Sequence, residues 1–533
     1  MSRFNMGATE AALATLESVK TTPTSLISYQ SNGRVIVFGD ETVLKLCDDF
    51  AEPLKVTRVS MGTSGQNPAS GAIALNLRDI NIQGHLGKFT VSLVDAHDIL
   101  ETLQADIILD LNPQPLITLE IPPPGYLHVS PTDASPKELG NQLLELTGEF
   151  EKPKYFKYDA TICAHGVNGK TVCTNCIDAC PAGAINSLLE TIEVDPYLCQ
   201  GGGTCATVCP SGAIQYVYPR LADSGNQIQK MLQTFREQKG SAGIVVFHAE
   251  DEFSEALQKS HASALPFRVE ELASVGADLC LSALVYGASQ VILLTNDAIP
   301  AISLAQLHRQ LEWLQSLLSG LNMDPLQVGI RHISEDFVAL ASTRPIEPAI
   351  YSMPGNKRYA IFQAIDHLYQ QIEKTRELVS LPVGAPFGSA TIDEKRCTLC
   401  MACVGVCPGK ALQDGSNREL PEIFFIESNC IQCGACTQTC PEDAISISPR
   451  MIFDREKRNQ SRALNQDVPF GCISCGKPFA PSSVIHKMTD QLKDHYMFKT
   501  TRALDRLKMC EDCRVVDIVQ DPEALNGNFD PLN

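Results

Sequence analysis

Cysteine dominates any chemistry this chain can do. Its 533 residues include 21 cysteines, and 17 of these fall in tight C-x2-C or C-x3-C-P groupings. In "CTLCMACVGVCP", Cys397, Cys400, Cys403 and Cys407 follow C-x2-C-x2-C-x3-C-P; in "CIQCGACTQTCP", Cys430, Cys433, Cys436 and Cys440 repeat it. Three thiolates on one tight loop reach three irons of a cubane, and the same loop cannot fold back to the fourth. The Cys-Pro of the other half supplies it. The expected sets are therefore Cys397, Cys400, Cys403 with Cys440, and Cys430, Cys433, Cys436 with Cys407. Zinc or plain structural thiols are the alternative. An odd cysteine total excludes a pure disulfide framework.

Upstream, "CQGGGTCATVCP" (199–210) carries the same frame with one ligand missing. Counted back from the proline, Cys209, Cys205 and Cys199 are the fourth, third and first cysteines, and Gly202 replaces the second. Its partner half is "CAHGVNGKTVCTNCIDACP" (163–181), where Cys173, Cys176 and Cys180 keep the spacing and Cys163 serves as the first across an insertion. Crossing then gives one full set, Cys163, Cys173, Cys176 with Cys209, and one three-thiolate set, Cys180, Cys199 and Cys205.

Residues 391–450 resemble the bacterial dicluster 4Fe-4S ferredoxins, and the chain as a whole resembles a polyferredoxin. Loss of the second cysteine is the change that marks three-iron ferredoxins, which the 199–210 half resembles. That resemblance implies [3Fe–4S] at the gap, or a labile [4Fe–4S] with water or another residue on one iron. A site left empty and a non-cysteine ligand are the alternatives, and His165 is a candidate ligand or a neighbour of one. With three [4Fe–4S] cubanes elsewhere, the chain would carry four centres.

"CISC" (Cys472, Cys475) and "CEDC" (Cys510, Cys513) form a separate group with no following proline. Two C-x2-C turns suit tetrahedral Zn2+ in a zinc-ribbon-like tail; a further cluster or redox dithiols are the alternatives. Cys47 and Cys280 stand alone on expected helices and read as small buried hydrophobes.

The elements that must hold these loops read as a multidomain α/β and α+β chain. Residues 1–155 form an N-terminal α/β domain in which 33–61 reads strand, helix, strand, 88–94 alternates, and 111–126 is broken by prolines. Its Gly33 and Gly39 do not make the glycine-rich turn a dinucleotide needs. The altered dicluster module spans 156–222, an α/β domain 223–380, the complete module 391–450, and the cysteine tail 460–533. Two ferredoxin-like modules thus flank a cysteine-poor α/β domain. Within that domain, "GIVVFHAE", "LPFRVEELASVGADLCLSALVYGASQVILLTND" and "RQLEWLQSLLSGLNMDPLQVGIRHIS" resemble the delta subunit of methyl-viologen-reducing hydrogenases. That family normally holds a [2Fe–2S] cluster, whose cysteines are gone here, so the resemblance implies a fold and a docking surface only.

A net charge of −19 argues against a nucleic-acid partner. From Arg450 to Arg514, however, 13 Lys and Arg face 8 Asp and Glu, either a solvated basic face or a docking patch for an acidic redox partner. No stretch reads as a membrane span or a secretory signal, so a reducing cytoplasm is expected. No nucleophile–base pair or other catalytic constellation is present. The expected function is electron transfer between an oxidoreductase partner and another acceptor, as a non-catalytic oxidoreductase subunit. A redox subunit that binds flavin or nucleotide in the N-terminal domain, and a metalloenzyme maturation factor, are the other readings.

Overall fold

A computed structural model describes the whole chain except residues 1, 49, 51, 62–71, 75–76, 96–99, 134, 168, 251–260, 336–338, 341–345, 374–375, 416–419 and 523–533. It divides into two compact units that interleave along the sequence. The first takes Met1–Ala160, Thr174–Leu311 and Leu326–Ala364, and the second takes Thr161–Cys173, Glu312–Pro325 and Ile365–Asn533.

The first unit opens on a five-stranded parallel sheet in the order Ala72–Ala74, Lys55–Ser60, Arg34–Gly39, Ile107–Asp110, Tyr126–His128. Side chains alternate across a strand, and here both faces are covered. Val35, Val37, Ile107 and Leu109 pack with Leu44, Leu139 and Leu143, whereas Ile36, Phe38 and Ile108 pack with Phe89, Val91 and Leu93 of an antiparallel sheet. Covering both faces is why these strands read as unbroken apolar runs. Each such buried side chain contributes about 1.5–3 kcal/mol.

Two buried aspartates fix the ends of this sheet. Asp106 pairs with Arg34 at 2.6 Å and accepts the amides of Asn32 and Arg34. Asp110 accepts the Tyr126 hydroxyl at 2.5 Å and the Leu116 amide at 2.7 Å, and so pins the proline-broken stretch that follows it. The expected strand–helix–strand unit is present. At its turn, Asp40 caps the short helix Glu41–Leu44 by accepting the amides of Thr42 and Val43. A carboxylate therefore holds the helix end at which a pyrophosphate would need to sit.

A second parallel sheet in the same unit has the order Ala264–Arg268, Ile244–His248, Gln290–Thr295, Val328–His332. Helices Leu221–Glu237 and Ala277–Val285 belong to this region, and the second is buried along its whole length, Cys280 included. Cys47 is also buried, so both lone cysteines behave as small apolar side chains. No helix among the described residues is long and apolar enough to cross a membrane.

The second unit pairs Gly388–Ile392 with Ile445–Ile452, closing the ends of the complete cysteine module onto each other. Buried Glu427 accepts Arg450 and Arg462 at 2.7 and 2.8 Å, and Arg458 reaches Asp366 at 2.5 Å. The tail begins with the hairpin Pro469–Gly471 and Pro478–Pro481. It continues through helices Ser482–Leu492, Thr501–Arg506 and Glu511–Val519.

Candidate iron–sulfur and metal centres

In the complete module the two loops share one backbone path. Leu399 and Met401 (φ 54° and 61°) in the first, and Gln432 and Gly434 (φ 55° and 81°) in the second, take left-handed conformations either side of Cys400 and Cys433. This winding turns successive cysteines toward one centre. One small cavity is lined by Cys397, Cys400, Cys403 and Cys440 with Ile392, Ile423 and Ile445. The other is lined by Cys407, Cys430, Cys433 and Cys436 with Ala411, Phe425 and Ile447. The structure thus brings together the two crossed sets expected from the spacing.

The donors around the sulfurs suit thiolates. The amide of Ala411 donates to Cys407 Sγ at 3.2 Å, that of Ala444 to Cys440 Sγ at 3.3 Å, and Gln432 Nε2 to Cys430 Sγ at 3.2 Å. Such bonds spread negative charge off the sulfur and raise a cluster's potential. Burial pushes Cys403 and Cys436 up to about 12 and Cys433 to about 11, and neighbouring thiols push the same way. Without a cluster these sulfurs hold their protons, so iron must displace them on loading. An apolar-walled pocket with four sulfurs and amide donors fits a cubane.

The altered half keeps the same backbone path without the same ligands. Gly201 and Gly203 (φ 84° and 76°) occupy the positions of Gln432 and Gly434. A Cβ built on Gly202 meets nothing within 4 Å, whereas one on Gly203 would lie 2.4 Å from Ser274 Cβ. Room for the missing side chain is therefore present. Cys199, Cys180, Cys176 and Cys209 all lie near enough to Cys205 to raise its thiol further, on top of the larger effect of its burial. Cys176 and Cys209 are members of the four-thiolate set. Its other members, Cys163 and Cys173, lie in the second unit, on either side of the small hairpin Gly166–Val167 and Lys170–Thr171. His165 is buried there, with Nδ1 2.8 Å from the Cys173 carbonyl, so it braces this loop. In that same unit Cys173 adds to the forces that raise Cys433, after burial and the nearer thiols.

Several groups that sequence reasoning missed surround the gap. Lys152 Nζ donates to the carbonyls of Tyr197 and Cys199, each at 2.8 Å. Lys357 Nζ donates to the carbonyls of Ala206 at 2.8 Å and Cys209 at 3.3 Å, and to that of Thr207. Gln200 Nε2 donates to the Pro122 carbonyl at 2.7 Å, and the Ile121 amide to that of Pro181 at 3.2 Å. The proline-broken stretch thus buttresses the altered module. Tyr29 joins it too, its hydroxyl donating to the Tyr197 carbonyl at 2.6 Å. These partners arrive from distant parts of the chain and leave no local pattern. Ser211, two residues after Cys209, was visible in principle. Its Oγ lies 3.6 Å from Cys209 Sγ and accepts the Ala213 amide at 3.2 Å.

In the tail, the sulfurs of Cys472, Cys475, Cys510 and Cys513 all lie within 4.8 Å of one another, and Cys475 and Cys510 are 3.8 Å apart. Four sulfurs about 2.3 Å from one tetrahedral ion lie about 3.8 Å apart, so this spacing matches a single ion. The first pair sits on the hairpin, while Cys510 is the N-cap of helix Glu511–Val519. Burial opposes a thiolate at Cys472, but amides of Cys510, Cys475 and Ser474 draw it down to about 6. None of the 21 cysteines forms a disulfide.

Residues 396–445 match a 4Fe-4S dicluster domain, and residues 192–215 match a 4Fe-4S binding domain. The second match takes in Cys199, Gly202, Cys205 and Cys209. No curated protein matches the chain. The chain therefore carries iron–sulfur domains of the ferredoxin type, whose chemistry is electron transfer.

Proposed function

We propose that the chain is an electron relay with four iron–sulfur centres, passing electrons between an oxidoreductase partner and another acceptor. Cubanes take Cys397, Cys400, Cys403 and Cys440; Cys407, Cys430, Cys433 and Cys436; and Cys163, Cys173, Cys176 and Cys209. A three-iron centre takes Cys180, Cys199 and Cys205, and Zn2+ holds the tail through Cys472, Cys475, Cys510 and Cys513. The observation that carries the relay is the pair of cysteine-lined cavities of the complete module, each holding four sulfurs contributed by both loops. Two clusters held by the same pair of loops support electron hopping from one to the other. Most of the surplus Lys and Arg between Arg450 and Arg514 is already paired with carboxylates outside that stretch, among them Glu427, Asp366, Asp517 and Asp521, so it does not carry a docking patch for an acidic partner. Cysteines that ligate iron and zinc, with no disulfide among them, suit a reducing cytoplasm.

The test is EPR on anaerobically purified protein, as isolated and after dithionite, with iron, sulfide and zinc quantified. A near-isotropic three-iron signal as isolated, absent from Cys199→Ser, is the expected result. An EPR-silent oxidised sample holding iron for three cubanes only would remove the fourth centre and with it this form of the relay.

A further inference from the structure

The first unit contains a cavity of about 630 Å3, within the usual range of small-molecule sites. It lies apart from the strand–helix–strand turn closed by Asp40. Its lining is unbalanced in charge, with Lys154, Lys157, Arg220 and Lys357 against one carboxylate, Asp278. Lys357 is committed to carbonyls of the cysteine loop, which leaves Lys154, Lys157 and Arg220 to meet a ligand. Helix Leu221–Glu237 also begins here. Its N-cap is Arg220, with no side chain capping the first turn, and Leu221, Ala222 and Ser224 line the cavity. Asp223, in that turn, is bound to Thr22 and is not part of the lining. The free amides and dipole of a 17-residue helix favour an anion at this point.

Aromatic rings share the lining with these cations: Phe156, Tyr158 and Tyr216 belong to it, with the Lys154 ammonium 5.1 Å from the centre of the Phe156 ring. The Tyr216 hydroxyl is sealed from the cavity as well as from bulk solvent, so only the ring of Tyr216 can line the site. Cations and a helix end, with three aromatic rings interleaved among the cations, match an anion carried on a planar group. We propose that this cavity binds a phosphorylated aromatic ligand of nucleotide size. Ala206 and Thr207, between Cys205 and Cys209, line the same cavity, so the ligand would lie against the three-thiolate loop.

The test is calorimetric titration of the full cluster-loaded chain under anaerobic conditions with flavin mononucleotide, with ADP and with inorganic phosphate. Binding of either nucleotide with a micromolar Kd, and of phosphate at least 100-fold more weakly, is expected. The double charge reversal Lys157→Glu and Arg220→Glu, at two exposed positions, should weaken the preferred ligand at least tenfold while iron content and EPR spectra stay unchanged. Preference for the flavin identifies a redox ligand, and preference for ADP a nucleotide effector; both support the site. Absence of binding by both at millimolar concentration, or binding untouched by the double reversal, would overturn it. The readout is binding alone, so it stands apart from any result on electron transfer.

Discussion

The two cysteine modules put one backbone path to different uses. In the complete module the cysteine loops wind through Leu399, Met401, Gln432 and Gly434, and in the altered half they wind through Gly201 and Gly203. The amide four residues after a Cys-Pro cysteine donates to that sulfur at Cys407, Cys440 and Cys180, at 3.2, 3.3 and 3.4 Å. At Cys209 the corresponding amide, of Ala213, goes instead to the Ser211 hydroxyl, which stands beside the sulfur. The complete module lines its cavities mostly with apolar side chains. The altered one has Lys152 and Lys357 on the carbonyls of its loop. Loop shape and ligand set are thus separable: the path survives the loss of a thiolate, and the electrostatics around it have changed.

That comparison can be broken most sharply at Gly202. Because a Cβ there is unobstructed, Gly202→Cys should restore the fourth thiolate and turn the centre into a cubane. The three-iron EPR signal should vanish, iron should rise by about one per chain, and the potential should fall by on the order of 100 mV. The reciprocal change, Cys433→Gly, should create a three-iron signal in the complete module and remove about one iron per chain. If Cys433→Gly instead empties its site, the altered loop holds its cluster through its surroundings and not through loop shape.

Stability offers a finer contrast between adjacent glycines. Gly203→Ala drives a methyl into Ser274 at a left-handed φ, so urea denaturation should show a loss of about 1–3 kcal/mol. Gly202→Ala, with open space at an ordinary φ, should stay within about 0.5 kcal/mol. The smallest effect belongs to Ser211→Ala, which removes a hydroxyl from Cys209 Sγ and frees the Ala213 amide. A redox titration should show a shift of about 10–50 mV in one cubane and none in the others.

The cysteine sets were legible because ligand reach is a matter of chain spacing, and the 396–445 spacing leaves a tight loop little choice. The parallel strands were legible as apolar runs, since sheets buried on both faces need no alternation. The glycines at 201 and 203 were legible as residues but not as conformers, because only the structure shows that Gln432 and Leu399 take the same left-handed angles. Lys152 and Lys357 were out of reach. Each is an ordinary lysine in its own stretch, and its role comes from packing partners 45 or more residues away. The interleaving of the two units is hidden for the same reason, since composition reports neighbours along the chain and not across it. The proline-broken stretch read only as irregular, yet Asp110, Pro122 and Ile121 make it a support for the altered loop.

The left-handed residues carry a consequence for the flexibility of the two loops. Leu399, Met401 and Gln432 hold a conformation that costs a side-chain-bearing residue about 1–3 kcal/mol. Gly201 and Gly203 reach the same angles without that cost. Glycine also has the most freedom to lose when a loop is ordered, so the altered loop exchanges strain for flexibility, and its shape depends more on the packing around it, such as Ser274 against Gly203.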